Sequence, residues 1–286
     1  MEKKLFITDF DRTLLTDDKT ISHEDIKTLE MLRLRKIVTA IATGRSAYSF
    51  EKALKDIGMA DGDNFLPVDY VIFSTGAGIM EFPGGRVIFQ KAVPSSDIGK
   101  ITNYLDLRKV DYMVHKSIPD TRHFLYKSHG NHNPDFQARL ALYKEYAVPL
   151  KDGHPHYDSA TEVLAIIPGG ADMDAIETIK KDLSGFSVIH ATSPLDHLSS
   201  WIEVFDKDVS KARAASWLVK RLGVNRKNVI SVGNDYNDQD LLSWSGKGFV
   251  VGNAPALLRQ VFKTVSSNNR CGVSGAAKES GWISKS

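Results

Sequence analysis

Short apolar runs alternate with amphipathic stretches over the first third of the chain and again over the last third. Residues 4–10 (KLFITDF) form an apolar run ending in acids, the pattern of a strand buried on both faces. Ser22 offers an N-cap to a helix whose Ile26, Leu29 and Leu32 share one face. Residues 37–43 (IVTAIAT) repeat the β-rich run, and Gly44-Arg45-Ser46 leads into a second helix reaching about Ile57. Residues 68–74 (VDYVIFS) supply a third strand. Strands alternating with helices predict right-handed βαβ units and a parallel sheet covered on both faces. Pro83-Gly84-Gly85, between two β-rich pieces, reads as a hairpin turn.

From about Pro94 to Leu198 the character changes. Helices are predicted over 96–107 and 171–183 and alternating strands over 162–167 and 187–189, with polar loops between them. The earlier rhythm then returns: a strand over 201–205, a helix over 211–222, a strand over 228–232 (NVISV), a short helix over 238–244 and a last strand over 248–251. The expected architecture is α/β. A doubly wound, Rossmann-like parallel-sheet core is made from residues 1–82 and 199–286, and an α+β domain over 83–198 is inserted into it.

Composition narrows the partners. The 286 residues carry 37 Lys+Arg against 35 Asp+Glu, a formal charge of +2 with no long run of either sign, which argues against nucleic acid or an acidic membrane. No segment approaches about twenty uninterrupted apolar residues, and the start lacks the features of a signal peptide, so a cytoplasmic protein is expected. The lone Cys271 cannot form an internal disulfide or a thiolate metal site.

In an open parallel sheet, ligands gather at the carboxyl ends of the strands. That rule selects Asp9 and Asp11 after the first strand, Thr43 after the second, Lys211 opening the helix beyond the insert, and Asn234, Asp235 and Asp238 after NVISV. Clusters of carboxylate and amide oxygen without thiol or nearby imidazole suit a hard cation, Mg²⁺ in particular, and Mg²⁺ points to phosphate. Asp9 can attack phosphorus to give an aspartyl phosphate. Asp11 can protonate the leaving oxygen and then take a proton from the hydrolytic water. Thr43 Oγ and nearby N–H groups can hold the transferring oxygens, and Lys211 is the counter-charge. Side chains one residue apart on a strand point to opposite faces, so Asp9 and Asp11 can share a site only if the strand opens out there.

Asp9-Phe10-Asp11-Arg12-Thr13-Leu14 resembles the D-x-D-G-T-L signature of the haloacid dehalogenase superfamily of phosphohydrolases. Ala42-Thr43-Gly44-Arg45 is similar to its second motif, Val209-Ser210-Lys211 to its third and Gly233-Asn234-Asp235-Tyr236-Asn237-Asp238 to its fourth. The long gap between Thr43 and Lys211 falls where the Cof-type branch carries an α/β cap, and Val251-Gly252-Asn253-Ala254 looks like that branch's G-N-A segment. The resemblance implies Mg²⁺ held by the Asp9 carboxylate, the Asp11 backbone carbonyl and either Asn234 or Asp235. It places Gly44, Arg45 and Asn237 near the substrate and makes Asp238 a supporting group that orients the lysine.

Three positions depart from the family pattern. Arg12 stands where glycine is usual, Asn234 where the metal-binding aspartate is usual, and Thr75-Gly76-Ala77 where Asn-Gly-Ala is common. The insert concentrates His115, His123, His129, His132, His154 and His156, whose spacings read as loop or substrate-facing histidines more readily than as a zinc site. The sequence thus reads as a phosphoric monoester hydrolase, monomer or homodimer, acting on a small phosphate ester such as a sugar phosphate. A phosphomutase and a non-catalytic phosphate sensor are the rival readings.

Overall fold

Leu5, Phe6, Ile7 and Thr8 are all fully buried and form β1 (Leu5–Thr8), the strand around which the first unit is built. The computed structural model describes residues 2–61, 64–130, 132–151, 157–170 and 173–284. After β1 come α1 (His23–Leu34), β2 (Val38–Ala42), α2 (Ala47–Asp56), β3 (Tyr70–Phe73), β4 (Gly78–Glu81) and β5 (Val87–Gln90). Ser22 caps α1 by accepting from Asp25 N, and Ser46 caps α2 by accepting from Ser49 N.

The second unit spans residues 90–209. It contains α3 (Ser95–Leu107), β6 (Asp111–Lys116), β7 (Phe124–Lys127), α4 (Pro134–Leu142), β8 (Ala147–Pro149), β9 (Ser159–Ile167), α5 (Met173–Asp182), β10 (Ser187–Thr192) and β11 (Ser200–Phe205). Its sheet runs β8-β7-β6-β9-β11-β10 and is antiparallel except for the β8–β7 pair. Val163 and Ala165 face α3 and α5, whereas Leu164 and Ile166 face Phe136 of α4, the period-two division of a strand covered on both sides. The start of the helix expected over 171–183 lies outside the described residues.

The first unit resumes with α6 (Lys211–Leu222), β12 (Val229–Gly233), α7 (Gln239–Trp244), β13 (Lys247–Val250), α8 (Ala256–Val261), β14 (Lys263–Thr264) and α9 (Gly272–Glu279). Its sheet order is β14-β13-β12-β1-β2-β3-β4-β5, parallel from β14 through β3 and antiparallel between β3 and β4. Leu5, Ile7, Ala40, Ala42 and Ile72 on one face pack against Ala214, Ala215, Leu218 and Val219 of α6. α1 contacts α9 through polar as well as apolar groups. Asp25 is fully buried, accepts from Ser274 N (2.7 Å), Ser274 Oγ (2.8 Å) and Ser22 Oγ (2.9 Å), and is raised above its ordinary pKa by burial against those bonds.

Two domain limits differ from expectation. The break falls between residues 89 and 90, because the 82–86 turn returns the chain into β5 of the core sheet. It falls between 209 and 210 at the other end, because residues 201–205, read as a core strand, form β11 of the insert's sheet, where Val204 pairs with Val163 and Trp201 with Ile166. Alternation reports burial and does not name the sheet. A usable sign was present: Glu203 interrupts the run, whereas β1 and β12 are buried at every position.

On the α4 side of the insert's sheet, Glu162 sits in register with His115. His115 Nδ1 bonds Thr121 O (2.8 Å), leaving Nε2 to accept from Arg139 Nη2 (3.4 Å), and burial with the Arg139 charge pushes its pKa down to about 3. Arg139 also lies 4.5 Å from the Trp201 ring. Glu162 is raised to about 8, first by burial and then by Glu203, with Arg139 opposing. Between its ordinary value and that raised one, the folded chain holds a proton that the unfolded chain has released, so stability falls as pH rises through this window. Glu162→Gln is therefore expected to melt several degrees above the parent at pH 9, with the gap closing toward pH 4. A gap constant with pH, read by circular dichroism, would assign the effect to packing instead.

Candidate active site

β1 stops at Thr8, yet Asp9 N still donates to Val232 O at 2.8 Å, which fixes Asp9 at the carboxyl end of the central strand. The backbone then coils into one wide turn over Phe10–Leu14, closed by Leu15 N donating to Phe10 O at 2.8 Å. The strand does open out where the two aspartates require it. Arg12 reaches φ +56°, left-handed backbone that costs an L-residue about 1 kcal/mol and suits glycine. Asn253 braces that turn, donating from Nδ2 to Arg12 O (2.8 Å) and accepting at Oδ1 from Asn268 N (3.0 Å).

Lys211 is the first residue of α6, a helix capped by Ser210 accepting from Arg213 N. Its ammonium is fully buried and donates to Asp9 Oδ1 at 2.8 Å and Asp238 Oδ1 at 2.6 Å. Burial alone would favour the neutral amine, and a helix N-terminus repels a cation. The two carboxylates overcome the burial and hold Lys211 above its ordinary pKa. Asp9 is pushed up to about 7, first by burial and then by Asp238, against the pull of Lys211. Two glycines make this cluster possible. A Cβ on Gly76 (φ +101°) would lie 2.4 Å from Ser210 O, and one on Gly233 would lie 2.6 Å from Asp238 Cγ.

The turn after β12 sorts its acids by one-residue steps. Asp238 Oδ2 accepts from Asn234 N (2.9 Å) and Asp235 N (3.1 Å), so this buried carboxylate organises the turn as well as the lysine. Asp235, expected as an alternative metal ligand, is exposed and caps the turn by accepting from Tyr236 N at 2.8 Å. One oxygen of its carboxylate thus serves the backbone of the turn. Asn237 is half-buried in the same turn.

Thr43 is buried. Its N–H donates to Ile72 O (2.9 Å), its carbonyl accepts from Thr75 N (3.1 Å) and its Oγ1 accepts from Arg45 N (3.1 Å), leaving a hydroxyl hydrogen to donate. Gly44 is exposed with space for a Cβ, so packing does not demand glycine there. Arg45, expected near substrate, makes a two-bond fork to Asp11, Nε to Oδ2 and Nη2 to Oδ1, both 2.7 Å. Sequence separation hid that pair. Thr13, which no spacing singles out, also joins the site: its Oγ1 lies 3.1 Å from the side-chain amide of Asn234.

The inward end of that amide sits 3.1 Å from Asp11 O and 3.2 Å from Asp9 Oδ2. Asp9 Oδ2, Asp11 O and an inward Asn234 Oδ1 would make three acceptors facing one another, an all-oxygen set that a hard cation fits. Among the described residues no group of three His, Cys, Asp or Glu side chains is arranged for a metal, since this set relies on a backbone carbonyl and an amide. His154 and His156 lie outside the described residues. His115 is a buried strand residue, not a loop one; His129 Nε2 pairs with Asp106 (3.1 Å), and His132 is exposed. A separate groove of about 740 Å³, lined by Glu30, Arg33, Lys36, Asp69 and Tyr70 among others, lies at the amino ends of β2 and β3, away from this chemistry.

Residues 6–276 match the family described as haloacid dehalogenase-like hydrolase, and the chain belongs to that family. It is similar to a Haemophilus influenzae protein named as a candidate phosphatase, 26% identical and covering 90% of this chain and 88% of that one. A second relative is the Bacillus subtilis 5-amino-6-(5-phospho-D-ribitylamino)uracil phosphatase YwtE, 21% identical with 93% of each chain covered. Among solved structures, a phosphatase of the haloalkanoate (HAD) superfamily from Bacteroides thetaiotaomicron superposes with a TM-score of 0.76 at 21% identity, covering 99% of this chain and 96% of that one. A HAD subclass IIB sugar phosphatase gives 0.74 at 16%, covering 98% and 100%. These likenesses extend over both units. Among the described residues no helix is long and apolar enough to cross a membrane.

The strained turn yields a direct test. Among the described residues the Arg12 side chain has only a long, exposed contact with Asp17 (3.9 Å), so Arg12→Gly is expected to raise unfolding stability by about 1 kcal/mol, read by urea titration. A less stable variant would mean that the Arg12 side chain outweighs its backbone strain.

Proposed function

We propose that the protein is a Mg²⁺-dependent phosphatase that hydrolyses a small phosphorylated metabolite, of sugar-phosphate type, through an aspartyl phosphate on Asp9. The observation that carries this reading is the buried ammonium of Lys211, 2.8 Å from Asp9 and 2.6 Å from Asp238, at the end of the central strand. A carboxylate that must meet a phosphate dianion needs such a charge close by and dry. Mg²⁺ held by Asp9, the Asp11 carbonyl and Asn234 would add positive charge against the phosphate oxygens.

A carboxylate oxygen of Asp9 forms the new bond to phosphorus as the ester P–O bond breaks, with Lys211 orienting the carboxylate. Thr43 Oγ1 donates to a transferring oxygen. Asp11 gives its proton to the leaving oxygen and then takes one from the water that attacks the aspartyl phosphate. Both Asp11 oxygens are held by Arg45 here, so that proton transfer requires the carboxyl to leave the fork. Arg45 is a positioning residue in this scheme, and Gly44 and Asn237 remain candidates to contact substrate. The inserted unit supplies substrate choice by closing as a cap, in line with the family resemblance. A sugar-like substrate is supported by the relatives named for a phosphoribityl compound and for sugar phosphates.

The parent protein is expected to hydrolyse para-nitrophenyl phosphate only with Mg²⁺ present, and Asp9→Asn to lose at least about a thousandfold in kcat with its fold retained by circular dichroism. A panel of phosphorylated sugars and polyols then names the class. Metal-replete protein silent on every ester would favour a phosphate sensor; isomers interconverted with little phosphate released would favour a phosphomutase.

A further inference from the structure

Asn234 departs from the family's aspartate at a point where the choice of atom has consequences. Three oxygens crowd the inward end of its amide: Asp11 O at 3.1 Å, Asp9 Oδ2 at 3.2 Å and Thr13 Oγ1 at 3.1 Å. With Oδ1 inward, only the Thr13 hydroxyl can donate to it, and the Asp9 and Asp11 oxygens meet a third acceptor. With Nδ2 inward, its two hydrogens serve Asp9, Asp11 and Thr13 together. Half a turn of the amide exchanges these states with almost no change of shape. Thr13 suits both, because a hydroxyl donates to oxygen and accepts from nitrogen. An aspartate at 234 could not do this, since both its ends accept.

We infer that Asn234 is a two-position plug of the cation site. With nitrogen inward, the amide takes the cation's place: Asn234 holds Asp9 Oδ2 while Lys211 holds Oδ1, so the nucleophile has both oxygens engaged. With oxygen inward, the amide becomes a ligand and Asp9 Oδ2 is released to the cation. Cation entry must break the amide's bonds to Asp9 and Asp11, which weakens affinity beyond the loss of one ligand charge. In exchange, the cation-free site keeps its polar groups paired instead of leaving acceptors in mutual repulsion. The inference takes the identity of the cation, Mg²⁺, from the proposed function.

The test needs no substrate. Mg²⁺ is titrated into the full chain while the Asn234 side-chain amide is followed by ¹H–¹⁵N NMR, its signal assigned by its absence from Asn234→Asp. The signal is expected to move and to saturate together with the calorimetric binding curve. Asn234→Asp should bind Mg²⁺ at least about tenfold more tightly. It should melt below the parent in EDTA, with the deficit narrowing once Mg²⁺ is added. An amide signal unmoved at saturating Mg²⁺ overturns the plug, as does a variant with parental affinity and parental melting in EDTA. If the variant does not fold, the parent's amide signal decides, assigned then by backbone-linked experiments. Mg²⁺ binding with the expected amide shift but no turnover would leave the plug standing and remove the phosphatase reading; no binding by either protein removes the plug and the metal assignment together.

Discussion

The first unit is organised around a lysine buried away from solvent. Lys211 lies buried at a helix start, where both desolvation and the helix field oppose its charge, and only the carboxylates of Asp9 and Asp238 make it tolerable. Removing one member of such a triad leaves a naked buried charge, which costs on the order of 3–5 kcal/mol. The surroundings follow from that constraint. Gly76 lets its loop approach the cap of α6, Gly233 lets Asp238 fold back beneath the chain, and Asp238 uses its second oxygen to hold the turn that presents Asn234. Left-handed backbone at Ser74 and Thr75 lies in the same shell of loops, the usual place for strain near a working site.

The inserted unit meets an excess of negative charge differently. Glu162 is raised by burial and by the charge of Glu203 against the pull of Arg139, so it retains a proton. The core unit places an ammonium between its carboxylates and leaves further oxygens converging near Asn234. The same electrostatic problem is answered in one case by protonation, which changes with pH, and in the other by a fixed cation and an adaptable amide.

Much of this was legible in the chain. The parallel strands of the core show as unbroken apolar runs because both faces are covered, and the acids and lysine at their ends stand out against them. Residues 201–205 were legible as a strand but not as to sheet, since pairing partners are chosen in three dimensions. The ambiguity between Asn234 and Asp235 could not be resolved from spacing, because adjacent residues in a tight turn point apart and only the fold shows which one caps the backbone. The Arg45–Asp11 fork joins residues 34 apart, and Asp25 reads as a solvated helix acid until Ser274 is brought against it. Side chains whose partner is remote carry no local pattern.

One feature reaches beyond the folded state. The loop that carries Asp9 and Asp11 is tied by Asn253 and Asn268, α1 is latched to Ser274, and β1 takes its second neighbour from residues 229–232. Asp9 precedes Lys211 by 202 residues and Asn253, Asn268 and Ser274 by more, so the lysine, brace and latch are all made long after it. A growing chain therefore holds Asp9 without lysine, brace or latch, and the buried setting of that carboxylate forms when the later segment folds back onto β1.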